Sequence, residues 1–237
     1  MPSFPIIATI ACIAYGIESI FGFGGTIIFL GLSGLFYDFN SLLKLAMIVG
    51  LSSGLAVLIQ SFKFLSWEHL IRILLFTIPG ATLGTILISY LTSELLINIF
   101  SLILIFYGGF NLFFPKLQIP KFIKRALIVL GGFIQGVYTV GGPFVLMGYK
   151  DNFSSKEQLR STMAGYFFII NSFRVILFMA LGGGFKETIL AYYPIGFMVM
   201  LSVWLAYPIH KRISENLFKK LIIVFIIFIG FMILFTR

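Results

Sequence analysis

Charge is scarce in this chain of 237 residues: Asp, Glu, Lys and Arg together make up 11%, against 59% hydrophobic residues. With a mean hydropathy of +1.08, that balance excludes a water-soluble globular domain. Cysteine is almost missing. The single Cys12 excludes an intrachain disulfide and a paired-cysteine metal or redox centre. The two histidines, His69 and His210, lie far apart in or beside loops and make no metal site. Asp38 and Asp151 both fall in loops, against a two-aspartate intramembrane protease. No serine sits in a nucleophile-elbow setting with a histidine at matching depth. Neither enzymatic activity nor a cofactor is therefore expected. No Lys or Arg precedes Lys44, so a cleaved signal peptide is not expected either.

What the chain does have is long apolar runs, four in each half. They cover roughly 4–36, 42–62, 69–91 and 95–114, then 125–149, 161–182, 188–208 and 217–236. A polar connector at 116–124 separates a first unit, 1–115, from a second, 125–237. Unbroken runs of about 20 residues each match one bilayer crossing. Trp67, Trp204, Tyr192 and Tyr193 near run ends read as interfacial belt residues. The first run of each half is interrupted, once by FGFGGT (21–26) and once by VYTVGGP (137–143). Gly24-Gly25 and Gly141-Gly142 stand 117 positions apart, close to half the chain. Paired interruptions at matching places in two halves point to a transporter's substrate site.

The formal charge of +9 would suggest nucleic acid in a soluble protein; in short membrane loops it signals topology, and no nucleic-acid partner is expected. If each broken run crossed the bilayer once, the Lys and Arg residues would divide 8 against 8, with Arg174 inside a segment. If each broken run enters, turns at its glycines and leaves on the same side, Lys44, Lys186 and Arg237 stand on one side and the other 13 opposite. Only the second arrangement carries the positive-inside bias. It implies an all-α polytopic protein with both termini outside. Each half holds one re-entrant hairpin and three transmembrane helices. Three is odd, so the halves are inverted relative to each other. Irregular backbone at membrane depth must be buried in protein or face a water-filled cavity, so the hairpin tips are expected to meet near the midplane.

Each glycine pair opens a short helix, and Pro143 stands where a first helical residue is expected. Gly24, Gly25 and Thr26 hold the matching place in the first half, and free N–H groups at such a start suit an anion. The plainer reading is that the glycines only let the tips pack closely. Glu18 precedes the first tip and Gln135 the second, at the same offset of 117. A carboxylate in an apolar arm could take up a coupling proton, pair with a cation in the core, or be a protonated structural group. Arg174, inside a crossing segment with Asn171 one turn earlier, could contact an anion, pair with Glu18 or snorkel outward. The strings IQSFKF (59–64) and INSFRV (170–175) are alike but offset by 111, and carry no repeat argument.

At these residues the chain resembles the TauE/SafE family of anion permeases, the sulfite exporter or toluene-sulfonate-uptake type. The likeness runs over nearly the full length and rests on Gly22-Phe23-Gly24-Gly25, Val140-Gly141-Gly142-Pro143, Arg160 opening the next helix, and the Asn171/Arg174 pattern. The second break departs from the first in having Thr139 where Gly22 stands. The resemblance implies transport of sulfite, organosulfonates or related sulfur oxyanions. The expected substrate site joins Gly22, Phe23, Gly24, Gly25, Thr26, Tyr138, Thr139, Gly141, Gly142, Pro143, Asn171 and Arg174, with Glu18 and Gln135 as coupling candidates. Expected partners are a small anion, the lipid bilayer and a coupling proton or sodium ion. The alternative is a membrane assembly factor with no flux of its own, for which the short loops offer little surface.

Overall fold

The computed structural model describes residues 3–21, 24–113, 120–182, 185–210 and 215–236. These fold as helices throughout: α1 (Phe4–Phe21), α2 (Gly25–Gly34), α3 (Phe39–Ser61), α4 (Trp67–Ile88), α5 (Ser93–Phe113), α6 (Lys121–Tyr138), α7 (Gly142–Tyr149), α8 (Lys156–Ala180), α9 (Phe185–His210) and α10 (Glu215–Thr236). Five of them are long and apolar enough to cross a bilayer, over Phe39–Phe64, Trp67–Ile88, Ser93–Phe113, Lys156–Ala180 and Thr188–Pro208. Large apolar side chains such as Phe106, Leu205 and Phe228 stand exposed on the outer faces. Lipid covers such a surface without the penalty water would impose. The protein is a polytopic membrane protein. One boundary differs from the sequence expectation: α6 begins at Lys121, inside the stretch read as a linker, because Pro120 supplies a helix-starting φ of −58°.

Both broken runs fold back on themselves. In the first, Ser3 Oγ at the start of α1 meets the Tyr37 hydroxyl beyond the end of α2 at 3.0 Å. In the second, Gly131 faces Val145 and Gly148 faces Ile128, so α6 and α7 run antiparallel. Asp38 then caps α3, its carboxylate accepting from Ser41 N at 2.8 Å.

The largest of the remaining helix contacts follow one rule. Number the elements of each half in order, so that α1 corresponds to α6 and α5 to α10. Then α1 packs on α9 as α4 packs on α6, and α3 on α9 as α8 on α4. The two remaining large contacts, α3 with α8 and α5 with α10, join counterparts. Both counterpart pairs are antiparallel: Gly50 faces Asn171 while Gly54 faces Phe168, and Gly108 faces Ile227 while Gly230 faces Ile105. The α4–α6 seam is parallel and built on glycine, with Gly132 against Thr77 and Gly136 against Ala81. A Cβ on Gly132 would lie 2.3 Å from the Thr77 carbonyl oxygen. Backbones approach this closely in membranes only where side chains are small.

Candidate functional site

The first tip turns at Gly24, whose φ of 100° and ψ of −13° suit a residue without a side chain. α2 starts immediately after it, and its N-terminus is not left open. Glu18, one turn back on α1, reaches over so that its Oε2 accepts from Gly25 N at 2.9 Å. Its Oε1 accepts from Ser53 Oγ of α3 at 3.3 Å. Thr26 is held by the Tyr15 hydroxyl at 3.0 Å, both groups buried.

The second tip repeats the device with a neutral group. Gln135 Oε1 accepts from Gly141 N at 2.8 Å, while its Nε2 donates to Asn171 Oδ1 at 3.0 Å. The turn itself differs: Thr139 takes a left-handed φ of 61°, the only non-glycine among the described residues to do so. Pro143 lies in the first turn of α7, as its ring geometry favours.

Arg174 explains why the second tip tolerates a threonine there. The guanidinium is 0% exposed and reaches inward from α8. Nη2 donates to the Gly136 carbonyl at 2.6 Å, Nε to Thr85 Oγ1 at 3.2 Å and Nη1 to Thr139 Oγ1 at 2.7 Å. Nη1 also lies 3.4 Å from Asn171 Oδ1. No carboxylate forms an ion pair with Arg174 among the described residues, so it neither pairs with Glu18 nor snorkels to an interface. Its bonds have a second consequence. They occupy acceptor capacity on Thr139 Oγ1 and Asn171 Oδ1, leaving each side chain a donor to offer elsewhere. Asn171 Nδ2 accordingly lies over Gly50.

These groups converge on a small cavity between the two tips. Glu18, Gly24 and Thr26 form its wall on one side, and Thr139, Gly142 and Pro143 on the other. Asn171 and Phe167 of α8 and Gly50 of α3 close it. Several expected site residues therefore share one cavity, and others stand elsewhere. Gly25, Gln135 and Gly141 are one step back, making the capping bonds. Arg174 lies behind Thr139 and Asn171. Tyr138 points away, donating to the Leu96 carbonyl at 3.0 Å and packing on Phe39 and Phe100. Gly22 and Phe23 lie outside the described residues. Sequence reading missed Gly50, Ile27, Val140 and Phe167 as cavity residues. A signal existed for the first, because Gly50 and Gly54 form a small-xxx-small pair on α3. Phe167 also stands 117 positions after Gly50, so counterpart helices present a glycine and a phenylalanine to the same space.

A cavity at the meeting of two chain reversals, lined by hydroxyl and amide donors, backed by a buried guanidinium and bordered by one carboxylate, suits a small anion and a proton. Among the described residues no cluster of His, Cys, Asp and Glu could hold a metal ion. No curated protein and no solved structure matches the chain. A family model does, over residues 7–233, and its description is sulfite exporter TauE/SafE. The chain belongs to that family of membrane transporters.

Proposed function

We propose that this protein is a secondary transporter of a small anion, with sulfite, an organosulfonate or a related sulfur oxyanion as its substrate. The observation that carries this reading is Arg174, buried with no carboxylate paired to it among the described residues and bonded so that Thr139 and Asn171 offer donors to the cavity. A positive charge in a low-dielectric surround attracts an anion over several ångströms, without direct contact. Family membership supports the substrate class.

The mechanism is alternating access around the two tips. Each half forms one re-entrant hairpin and three crossings, and the halves are inverted repeats. The exchange symmetry of the packing and the antiparallel counterpart pairs support this, because a two-fold axis lying in the membrane plane reverses every helix it relates. The positive-inside count supports both termini lying outside. Glu18 carries the coupling proton. An ionised Glu18 repels an anion in the same cavity, so anion binding goes with a neutral Glu18. Its Oε2 accepts from the Gly25 N–H and its Oε1 meets the Ser53 hydroxyl, which can accept in turn when Oε1 carries the proton.

The test is a binding scan on purified protein, reading thermal stabilisation by sulfite, thiosulfate, short sulfonates and short carboxylates. A ligand present at about 100 times its Kd stabilises by about 2.7 kcal/mol. Stabilisation by at least one sulfur oxyanion, lost in Asn171→Leu, is the expected result. Stabilisation by none of them contradicts the proposal.

A further inference from the structure

A second cavity lies against the first, on the side of the α8 N-terminus. Ser53, Gly54 and Val57 of α3 and Arg160 and Ala164 of α8 line it. Glu18 and Phe167 line both cavities. They are therefore the partition between the two spaces. The Glu18 carboxylate faces both ways, with one oxygen on the Gly25 N–H of the tip and the other on Ser53.

Arg160 is the second buried guanidinium among the described residues, 6% exposed. Among the described residues the groups it touches are neutral. Nε donates to the Ser19 carbonyl at 3.3 Å, Nη2 donates to Gln60 Oε1 at 3.1 Å, and the Tyr207 ring lies 4.9 Å from its central carbon. Among the described residues no ion pair neutralises it. The bond to Gln60 fixes that amide, because a guanidinium can only donate and so selects the amide oxygen. Among the described residues Gln60 Nε2 is left as a buried donor with no partner, on a side chain that adjoins the cavity through Arg160 rather than lining it. A buried donor without an acceptor is rare in folded proteins and asks for an explanation, an absent ion among them.

We propose that Arg160 and Gln60 form a second binding station for the same class of small oxyanion, separated from the central cavity by Glu18 and Phe167. This rests on the transport reading of the central cavity. An oxyanion there accepts from the guanidinium and from Gln60 Nε2, which supplies the missing partner of one and the missing counter-charge of the other. The two stations then hold the anion successively, on either side of a movable aromatic ring and a carboxyl group.

Equilibrium binding of radiolabelled sulfite to the full-length protein in lipid nanodiscs tests this. Wild type is expected to bind two sulfite ions, the two steps differing in affinity. Arg160→Gln should leave one, the affinity of the lost step falling about tenfold or more, as for removal of a charged hydrogen-bond donor. Gln60→Met keeps the volume and leaves Arg160 in place, and should weaken the same step while leaving the other unchanged. Asn171→Leu should remove the other step. Two undiminished sites in both Arg160→Gln and Gln60→Met overturn the second station and leave the transport reading standing. One wild-type site, lost in Asn171→Leu and untouched in Arg160→Gln, does the same. No binding by wild type of sulfite, nor of thiosulfate or a short sulfonate labelled in its place, overturns the transport reading itself.

Discussion

Arg174 Nη1 donates to Thr139 Oγ1 at 2.7 Å, and both side chains are buried. The bond sets the conformation of the second tip. A left-handed backbone costs an L-residue about 1–2 kcal/mol, and a charge-assisted hydrogen bond contributes about 1.5–3 kcal/mol. The bond outweighs the strain, so a threonine holds a place that glycine would take with less distortion.

A pair of substitutions separates the bond from the strain. Thr139→Gly loses both together and should be mildly destabilising. Thr139→Ala loses the bond and keeps the strain, so it should be about 1–2 kcal/mol less stable than the glycine variant. Thermal unfolding in one detergent ranks them. An alanine variant as stable as wild type contradicts the role given to Arg174.

Glu18 and Gln135 do the same structural work at the two tips, each side-chain oxygen accepting an N–H at a helix start. Glu18→Gln should therefore fold normally, since an amide already suffices in the second half. It removes the ionisable proton. Uptake by wild type in proteoliposomes should be accelerated by an inward proton gradient, and uptake by the variant should ignore the gradient. A variant that still responds to the gradient makes Glu18 a structural cap only.

Orientation has its own test. Reporters fused before Met1 and after Arg237 should both read as outside, and a reporter in the connector at 150–156 should read as cytoplasmic. Two cytoplasmic termini reverse the assignment from the Lys and Arg count.

Much of the tip chemistry was legible along the chain because it is local. Glu18 caps a helix that starts seven residues on, and Gln135 accepts from the N–H of Gly141, six residues on and just before α7. Spacing and side-chain type suffice to suggest such bonds. Glycine at the turns was legible for the same reason. The partners of the two buried arginines were not. Arg160 reaches Ser19 across 141 positions and Gln60 across 100, and no pattern in either segment names the other. Tyr138 shows a different limit. It adjoins Thr139 in sequence, but α6 ends at Tyr138 and the left-handed backbone of Thr139 turns the chain away. One therefore meets Arg174 while the other enters the Phe39–Phe100 cluster.

The central claim is that a small anion passes between the two tips. Uptake of radiolabelled sulfite into proteoliposomes by wild type and Gly142→Val tests it most directly. A Cβ at Gly142 meets the far end of the Phe167 ring at 2.5 Å, so the added side chain drives a movable ring into the cavity and leaves the backbone in place. At Gly141 the same change would strike the Gly131 carbonyl oxygen at 1.9 Å and threaten the fold instead. The expected result is saturable uptake by wild type and none by a Gly142→Val protein that remains folded and monodisperse. Equal uptake by the two, or no uptake by wild type of any sulfur oxyanion, contradicts the account.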